Sequence, residues 1–376
     1  MPGILASLAG IASVQAIILF VVAMAFAWNL GVHYTGAVMG MPYAARAIAL
    51  KPALILISVF TIIGATLASG RVEETVGRHI ISDRAVTIPD AIIIVLAAGS
   101  LTLLYNYRRV PTSTIQILVF SVAGVGLGGN VPIYWNTIAD LAVVWVLAPV
   151  VAFALGFVFT RLLDHVIAPA DARVELSAQD TQPETKGAAK SLSRWFPGVA
   201  RAMRSPASKT HAGGTQTAIS VWRLAPGLLV LVGICASFTL GANDVSNATG
   251  PLVLTHLLSP MLAGFFGGLG MAAGVLIWGR RILHTVAFDV VKMDLNMASA
   301  AQGVQALVVL VAATQGYFTS MNQALIGAMA GTGMARGRET VQRRQMLGIL
   351  RGWLIGPISG LALGFVLSWL LHLITH

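Results

Sequence analysis

The apolar positions of this chain are gathered into long uncharged blocks. No Asp, Glu, Lys or Arg occurs from Met1 to Ala45, Val110 to Ala139, Val245 to Gly279, Leu295 to Ala335 or Gly352 to His376. Each block exceeds the roughly 20 apolar residues that a helix needs to cross a hydrocarbon layer. Continuous apolar spans fall near 4–30, 52–70, 89–107 and 138–162, with a shorter Gly-rich piece at 111–129. The pattern resumes near 224–242, 260–279, 303–318, 319–335 and 350–372. It predicts an all-α polytopic membrane protein of about ten membrane segments, five on each side of a polar stretch. Segments 111–129 and 319–335 read as re-entrant or hairpin helices as readily as simple spans.

Composition sharpens this picture. Charged residues make up 10% of the chain, against about 25% in soluble globular proteins, which is too few to coat a water-facing surface. A soluble enzyme is thereby excluded. The single cysteine, Cys235, excludes an internal disulfide and a thiolate metal cluster. The net charge of +10 raises nucleic acid as a partner, but the basic residues follow an alternating pattern. With the N-terminus outside, the inside loops hold Arg46 and Lys51, Arg108 and Arg109, Arg280 and Arg281, and Arg336, Arg338, Arg343 and Arg344. The opposite loops offset Arg71, Arg78 and Arg84 with Glu73, Glu74 and Asp83. This is the positive-inside pattern of a multi-pass inner (plasma) membrane protein with both termini outside, and it removes nucleic acid as a partner. Residues 164–221 form the long polar stretch, basic from Lys186 to Lys209, and read as a cytoplasmic linker between membrane units 1–163 and 222–376. Trp195 and Phe196 suit its basic part to a membrane surface.

The two units repeat each other. Gly31, Gly40, Gly64, Arg71, Thr75 and Val76 recur 210 positions later as Gly241, Gly250, Gly274, Arg281, Thr285 and Val286. Thr112, Ser113, Gln116, Gly124 and Gly126 recur 207 positions on as Thr319, Ser320, Gln323, Gly331 and Gly333. Trp145, Pro149, Gly156 and Phe157 recur 208 positions on as Trp353, Pro357, Gly364 and Phe365. An odd number of crossings per copy makes the copies antiparallel, the inverted-repeat framework of secondary transporters, with substrate near the midplane where the repeats meet.

Helices interrupted at corresponding points of two repeats are the best pointer to such a site. The first pair is Gly31 to Gly40 (GVHYTGAVMG) with Gly241 to Pro251 (GANDVSNATGP). Asn243, Asp244 and Asn247 are candidates for coupling or gating, because a carboxylate at membrane depth is costly and marks function by default. Asn243 and Asp244 can hold a small cation through oxygen atoms, or Asp244 can carry a proton. The alternative is a helix cap. The second pair is Thr112, Ser113, Thr114 and Gln116 with Thr319, Ser320, Asn322 and Gln323. Hydroxyls and free N–H groups at a helix start form an anion site; here too the alternative is capping or helix packing. His33 and Tyr34 stand where the second copy has Asn243 and Asp244. A histidine in an apolar segment is commonly a packing residue, yet its near-neutral titration makes His33 a candidate proton-coupling group. Glu73 and Glu74, like Asp289, Lys292 and Asp294, read as solvated turn or interfacial helix.

The stretch GANDVSNATGP resembles the signature of the inorganic phosphate transporter (PiT) family, which has it once in each half. GRVEETVG from Gly70, GRRILHTVAF from Gly279, VPTSTIQ from Val110 and FTSMNQALIGAMAGTGMARG from Phe318 are similar to the family's other blocks. The departures are His33, Tyr34 and Ala37 in the first copy, and Gln116 and Gln323 where the family ends its PVSTTH block. With WNLGVHYTGAVMGMPYAARAI, they resemble the family's sulfate permease branch, which lacks the first acidic motif; the resemblance implies proton coupling. Chemistry agrees, since sulfate is fully ionised and a second carboxylate beside it repels.

The expected protein is therefore an importer of a tetrahedral oxyanion, sulfate first, coupled to a proton rather than sodium. An inorganic phosphate symporter is the alternative, with an anion channel behind it. No enzymatic constellation and no cofactor is expected. The lipid bilayer is the expected environment, and a homodimer stays open.

Overall fold

The structure, a computed structural model, describes residues 2–108, 112–166, 193–204, 224–289, 293–337 and 343–375. Among the described residues thirteen helices follow one another: α1 (Pro2–Ala44), α2 (Leu50–Ala68), α3 (Gly70–Arg78), α4 (Ile88–Arg108), α5 (Thr114–Gly128), α6 (Trp135–Val166) and α7 (Pro197–Arg204). The second half gives α8 (Ala225–Asp244), α9 (Ser246–Leu254), α10 (Pro260–Asp289), α11 (Leu295–Thr314), α12 (Met321–Ala335) and α13 (Arg343–Thr375). Among the described residues the one β feature is an isolated bridge between Ile81 and Ile133. Helices dominate because a backbone in hydrocarbon must satisfy every N–H and C=O within its own segment.

Among the described residues eight stretches are long and apolar enough to cross a membrane, α8 and α9 counting together as Ala225–Leu254. At 15 residues, α5 and α12 are not among them, for a rise of 1.5 Å per residue carries such helices only about 22 Å. Most of the polar linker, residues 167–192 and 205–223, lies outside the described residues, Lys186, Lys190 and Lys209 with it. The described piece is anchored to the helical body: Ala49 N–H donates to the Trp195 carbonyl at 2.9 Å, and Phe196 packs on the core.

The expected interruption of α1 at Gly31 to Gly40 is not there; the helix runs unbroken to Ala44. In the other copy the break shrinks to one residue, Val245, which keeps helical angles of φ −59° and ψ −37°. Glycines spaced within an apolar helix do not break it when neighbouring helices pack against them. They permit close approach instead. A Cβ on Gly31 would lie 2.0 Å from the Met271 carbonyl oxygen, and one on Gly241 2.0 Å from that of Thr61. Gly64 meets the Phe238 carbonyl and Gly274 that of Trp28 in the same way, as Gly124 meets Leu361 and Gly331 meets Phe153. Under the 210, 207 and 208 offsets these are the same contacts made twice with the halves exchanged. Thus α1 packs on α10 as α8 packs on α2, and α5 packs on α13 as α12 packs on α6.

The two short helices start near each other and run apart. Arg336, just past α12, pairs with Asp164 near the end of α6 and, at 3.0 Å, with Asp294, which caps the start of α11. Arg71 of α3 donates to the Thr314 carbonyl at the other end of α11 at 2.6 Å, and the Ile81 to Ile133 bridge ties the region after α3 to that after α5. The far ends of α5 and α12 therefore lie toward opposite ends of α11.

Close approach at Gly241 leaves no room for a side chain. Gly241→Leu is expected to lower stability by an overpacking cost of about 1–3 kcal/mol. Gly227→Ala, where an added Cβ meets nothing within 4 Å, is expected to be neutral or stabilising. Thermal melts in detergent check both.

Candidate functional site

The site forms where the last turn of α8 meets the start of α12. The Asn243 side chain straddles one residue there: its Nδ2 donates to the Thr319 carbonyl at 2.8 Å, and its Oδ1 accepts from the Thr319 N–H at 3.1 Å. Because one backbone group donates and the other accepts, the amide has one orientation only. The same Nδ2 donates to Asp244 Oδ2 at 2.9 Å. Trp145 of α6 steadies the approach to α12 by donating Nε1–H to the Phe318 carbonyl at 3.0 Å.

Asp244 is enclosed from the other side by α9, α5 and α1. Asn247 Nδ2 lies 3.5 Å from Asp244 Oδ1 and 3.4 Å from Thr114 Oγ1. Thr114 Oγ1 is 2.7 Å from the Tyr34 hydroxyl. Asn247 thus links the carboxylate to the paired hydroxyls of Thr114 and Tyr34. Tyr34, Asn243, Asp244, Asn247 and Thr319 are completely buried, and Thr114 almost so. In that network Asp244 is the single carboxylate. His33 stands edge-on to Tyr34, ring centroids 4.6 Å apart, and its Nε2 lies 3.2 Å from Asn322 Nδ2. Since the amide nitrogen can only donate, Nε2 accepts and the imidazole is neutral in this arrangement.

The expected residues thus divide. Thr114, Thr319, Asn243, Asp244 and Asn247 converge, with His33 and Asn322 alongside. Ser113 and Ser320 take the capping alternative, each accepting from the N–H of Gln116 or Gln323 at 3.4 Å. Thr112 is half-buried beside Gly356 of α13. The Asn243 oxygen expected for a cation is instead spent on the Thr319 N–H. Gln116 Oε1, Asn247 Oδ1, Thr319 Oγ1 and both polar atoms of the Gln323 amide are buried with no protein partner. Leaving such an atom unpaired costs about 1–3 kcal/mol, so a cluster of them at two helix starts is a ligand-binding composition.

Two further features escaped the sequence reading. Gln302 and Gln305 of α11 form a buried polar strip: Gln302 Nε2 donates to the Ala37 carbonyl at 2.8 Å and to Gln305 Oε1 at 2.9 Å, and Gln305 Nε2 donates to the Met321 carbonyl at 3.2 Å. Their three-residue spacing within an apolar helix was the available signal. Glu73, expected in a solvated turn, is fully buried, with Oε1 2.6 Å from Thr249 Oγ1 and Oε2 unpartnered. Burial pushes its carboxyl up to about 8, the Thr249 hydroxyl acting in the opposite direction. Its neighbour Glu74 is exposed as expected. Asp294 is half-buried on its helix cap and paired with Arg336; Lys292 lies outside the described residues.

Spanning helices around a buried polar centre that two helix starts enter are the architecture of a membrane transporter. The profile of the phosphate transporter family matches residues 30–364, and the chain belongs to that family. It is 26% identical over 410 residues to the inorganic phosphate transporter 2-1, chloroplastic, of Arabidopsis thaliana, covering 92% of this chain and 70% of that one. It is 25% identical over 344 residues to the sulfate permease CysP of Bacillus subtilis, covering 91% and 84%. A solved structure titled the sodium-dependent phosphate transporter shares the fold with a TM-score of 0.78 at 22% identity, over 96% of this chain and all of that one.

Capping and ligand-facing hydroxyls are expected to separate on mutation. Ser113→Ala and Ser320→Ala should each cost about 1 kcal/mol of stability while leaving substrate affinity nearly unchanged. Thr114→Val, which breaks the Tyr34 and Asn247 contacts, should lower uptake about tenfold, one lost net hydrogen bond's worth. Melting curves and uptake KM in proteoliposomes check the pair.

Proposed function

We propose that this chain is a secondary active importer of a tetrahedral inorganic oxyanion, sulfate, coupled to protons, built from two inverted repeats in the inner (plasma) membrane. The observation that carries the reading is Tyr34. It occupies the place of Asp244 in the other repeat, so a site with room for two carboxylates holds one, and its phenol joins a hydrogen-bonded chain of neutral groups. A sulfate dianion has no proton to share with a second carboxylate and would be repelled by it. Neutral N–H and O–H donors at the opposed starts of α5 and α12 favour an anion through the positive ends of both helices.

The Asn243 amide bears on the coupling ion. It turns N–H toward Asp244 and its oxygen toward the Thr319 N–H, so this amide does not present its oxygen to a cation on Asp244. A proton on Asp244 needs no such second ligand. The copy of sulfate permease CysP in Bacillus subtilis among the relatives agrees with the substrate. The alternating basic residues support a cytoplasmic linker over 164–221 and outside termini. Alternating access is then a rocking of one repeat against the other where they meet, Thr114 of the first against Asn247 of the second.

Labelled sulfate is expected to accumulate in proteoliposomes under an inward proton gradient and not under a sodium gradient. Sodium-driven phosphate uptake untouched by excess sulfate would overturn the reading. Asp244→Asn should abolish accumulation and flatten its pH dependence; accumulation equal to the parent protein's would remove Asp244 from the mechanism.

A further inference from the structure

Glu73 is not part of the polar centre, and nothing in the mechanism above uses it. It sits on α3, a short helix whose Arg71, Glu74 and Arg78 face outward while Val72, Glu73, Thr75 and Val76 are buried. The Thr249 hydroxyl of α9 lies 2.6 Å from Glu73 Oε1 and 2.9 Å from the Val245 carbonyl. A hydroxyl has one proton and cannot donate to both oxygens. If it donates to Val245, the shorter contact needs a proton supplied by Glu73. If Glu73 is ionised, the Thr249 proton must leave the Val245 carbonyl for the carboxylate. The two protonation states of Glu73 therefore differ at the carbonyl of the residue directly after Asp244, in the α8 to α9 break.

The same short helix holds the other side of the site. Arg71 donates to the Thr314 carbonyl, and the Thr75 hydroxyl to that of Gly316 at 2.8 Å, in the turn that leads from α11 to Thr319. Gly316 has a φ of +81°, so this turn has a defined left-handed kink for α3 to hold. Among the described residues no ion pair is made to Glu73. The elements packed on α3 are α2, α8, α9, α10 and α11. Of these, α9 and α11 carry no titratable side chain, and α8 offers Cys235 and Asp244. Lys51 lies at the start of α2, and Arg280, Arg281, His284 and Asp289 lie at the end of α10 distant from Gly267, the residue that packs on Thr249. On α3 itself, Arg71 is turned to the Thr314 carbonyl.

We propose that Glu73 is a second proton-binding site of the transport cycle, separate from the substrate site and linked to it through Thr249 and the Val245 carbonyl. It takes one proton per turnover in addition to that on Asp244, which balances the two charges of a sulfate ion. The inference rests on the proton-coupled reading of the protein.

The test is Glu73→Gln, which keeps shape and a donor for Thr249 but fixes the site in its neutral state. In proteoliposomes it should retain sulfate counterflow, which needs no net proton movement. Its steady-state accumulation of labelled sulfate should fall about tenfold per unit of imposed pH gradient, the worth of one coupled proton, and its uptake should become sensitive to membrane potential. Accumulation at the parent level, or loss of counterflow together with accumulation, overturns the assignment. Thr249→Val gives a second measure: the pH profile of accumulation should move to higher pH, because the carboxylate loses its charge-assisted donor, and an unmoved profile also counts against Glu73. Absence of proton-driven sulfate accumulation in the parent protein would instead remove the transport reading itself.

Discussion

A helix that starts inside an apolar protein leaves its first N–H groups without intrahelical partners, and in a membrane there is no bulk water to take their place. Two helices of this chain do so, α5 and α12, and the remaining polar architecture follows from the need to meet those groups. Ser113 and Ser320 cap one N–H each. Asn243 closes over the residue before the α12 cap, and Thr114 at the start of α5 is met by Tyr34 and Asn247. What is left over, the Thr319 hydroxyl, Gln116 Oε1 and the Gln323 amide, has no partner among the described residues. Helix starts that consumed all their donors would be structural; these keep donors in reserve, in a positive field set by both helix dipoles.

The packing that places those starts is local in origin. Each short helix lies against a long one through glycines so close that a methyl group would collide with a carbonyl, Gly124 on Leu361 and Gly331 on Phe153. Lipid supplies little hydrophobic drive for helix association, so close contact through small residues takes its place. Because the contacts recur with the halves exchanged, one repeat's short helix is always carried by the other repeat's long one. Neither half can hold its helix start at the centre alone.

Most of this was legible in the sequence, for reasons that also explain the exceptions. Asn243, Asp244, Asn247 and Thr114 could be named because polar residues in a charge-free block have few other uses. The correspondence of the helix starts at Thr112 to Thr114 and Thr319 to Asn322 followed from the duplication. The serines and threonines were harder, since a hydroxyl at a helix start serves a cap or a ligand equally well, and only geometry shows that Ser113 caps while Thr114 faces the centre. Continuity of α1 through Gly31 to Gly40 depends on what packs there, which glycine spacing does not state. Glu73 was misread for a similar reason. GRVEETVGR looks like a charged turn, and a helical period puts Glu73 and Glu74 on different faces, but which of them is covered depends on Thr249, distant in sequence.

On the proposed cycle the buried carboxylates Asp244 and Glu73 divide the work on chemical grounds. Asp244 lies among N–H and O–H donors at the centre, where its charge opposes that of an arriving anion; Glu73 lies outside that centre, where no described residue pairs with its charge. Each is therefore eased by a proton at a different moment, Asp244 when the anion binds and Glu73 when α3 is packed against α9. A dianion crossing with one proton carries net charge against the membrane potential, whereas one crossing with two does not. On the proposed cycle, loss of the carboxylate at Tyr34 and burial of one at Glu73 are connected. Removing a negative charge from the substrate site admits sulfate, and placing a carboxylate one helix away restores a proton-carrying group without returning its charge to the anion.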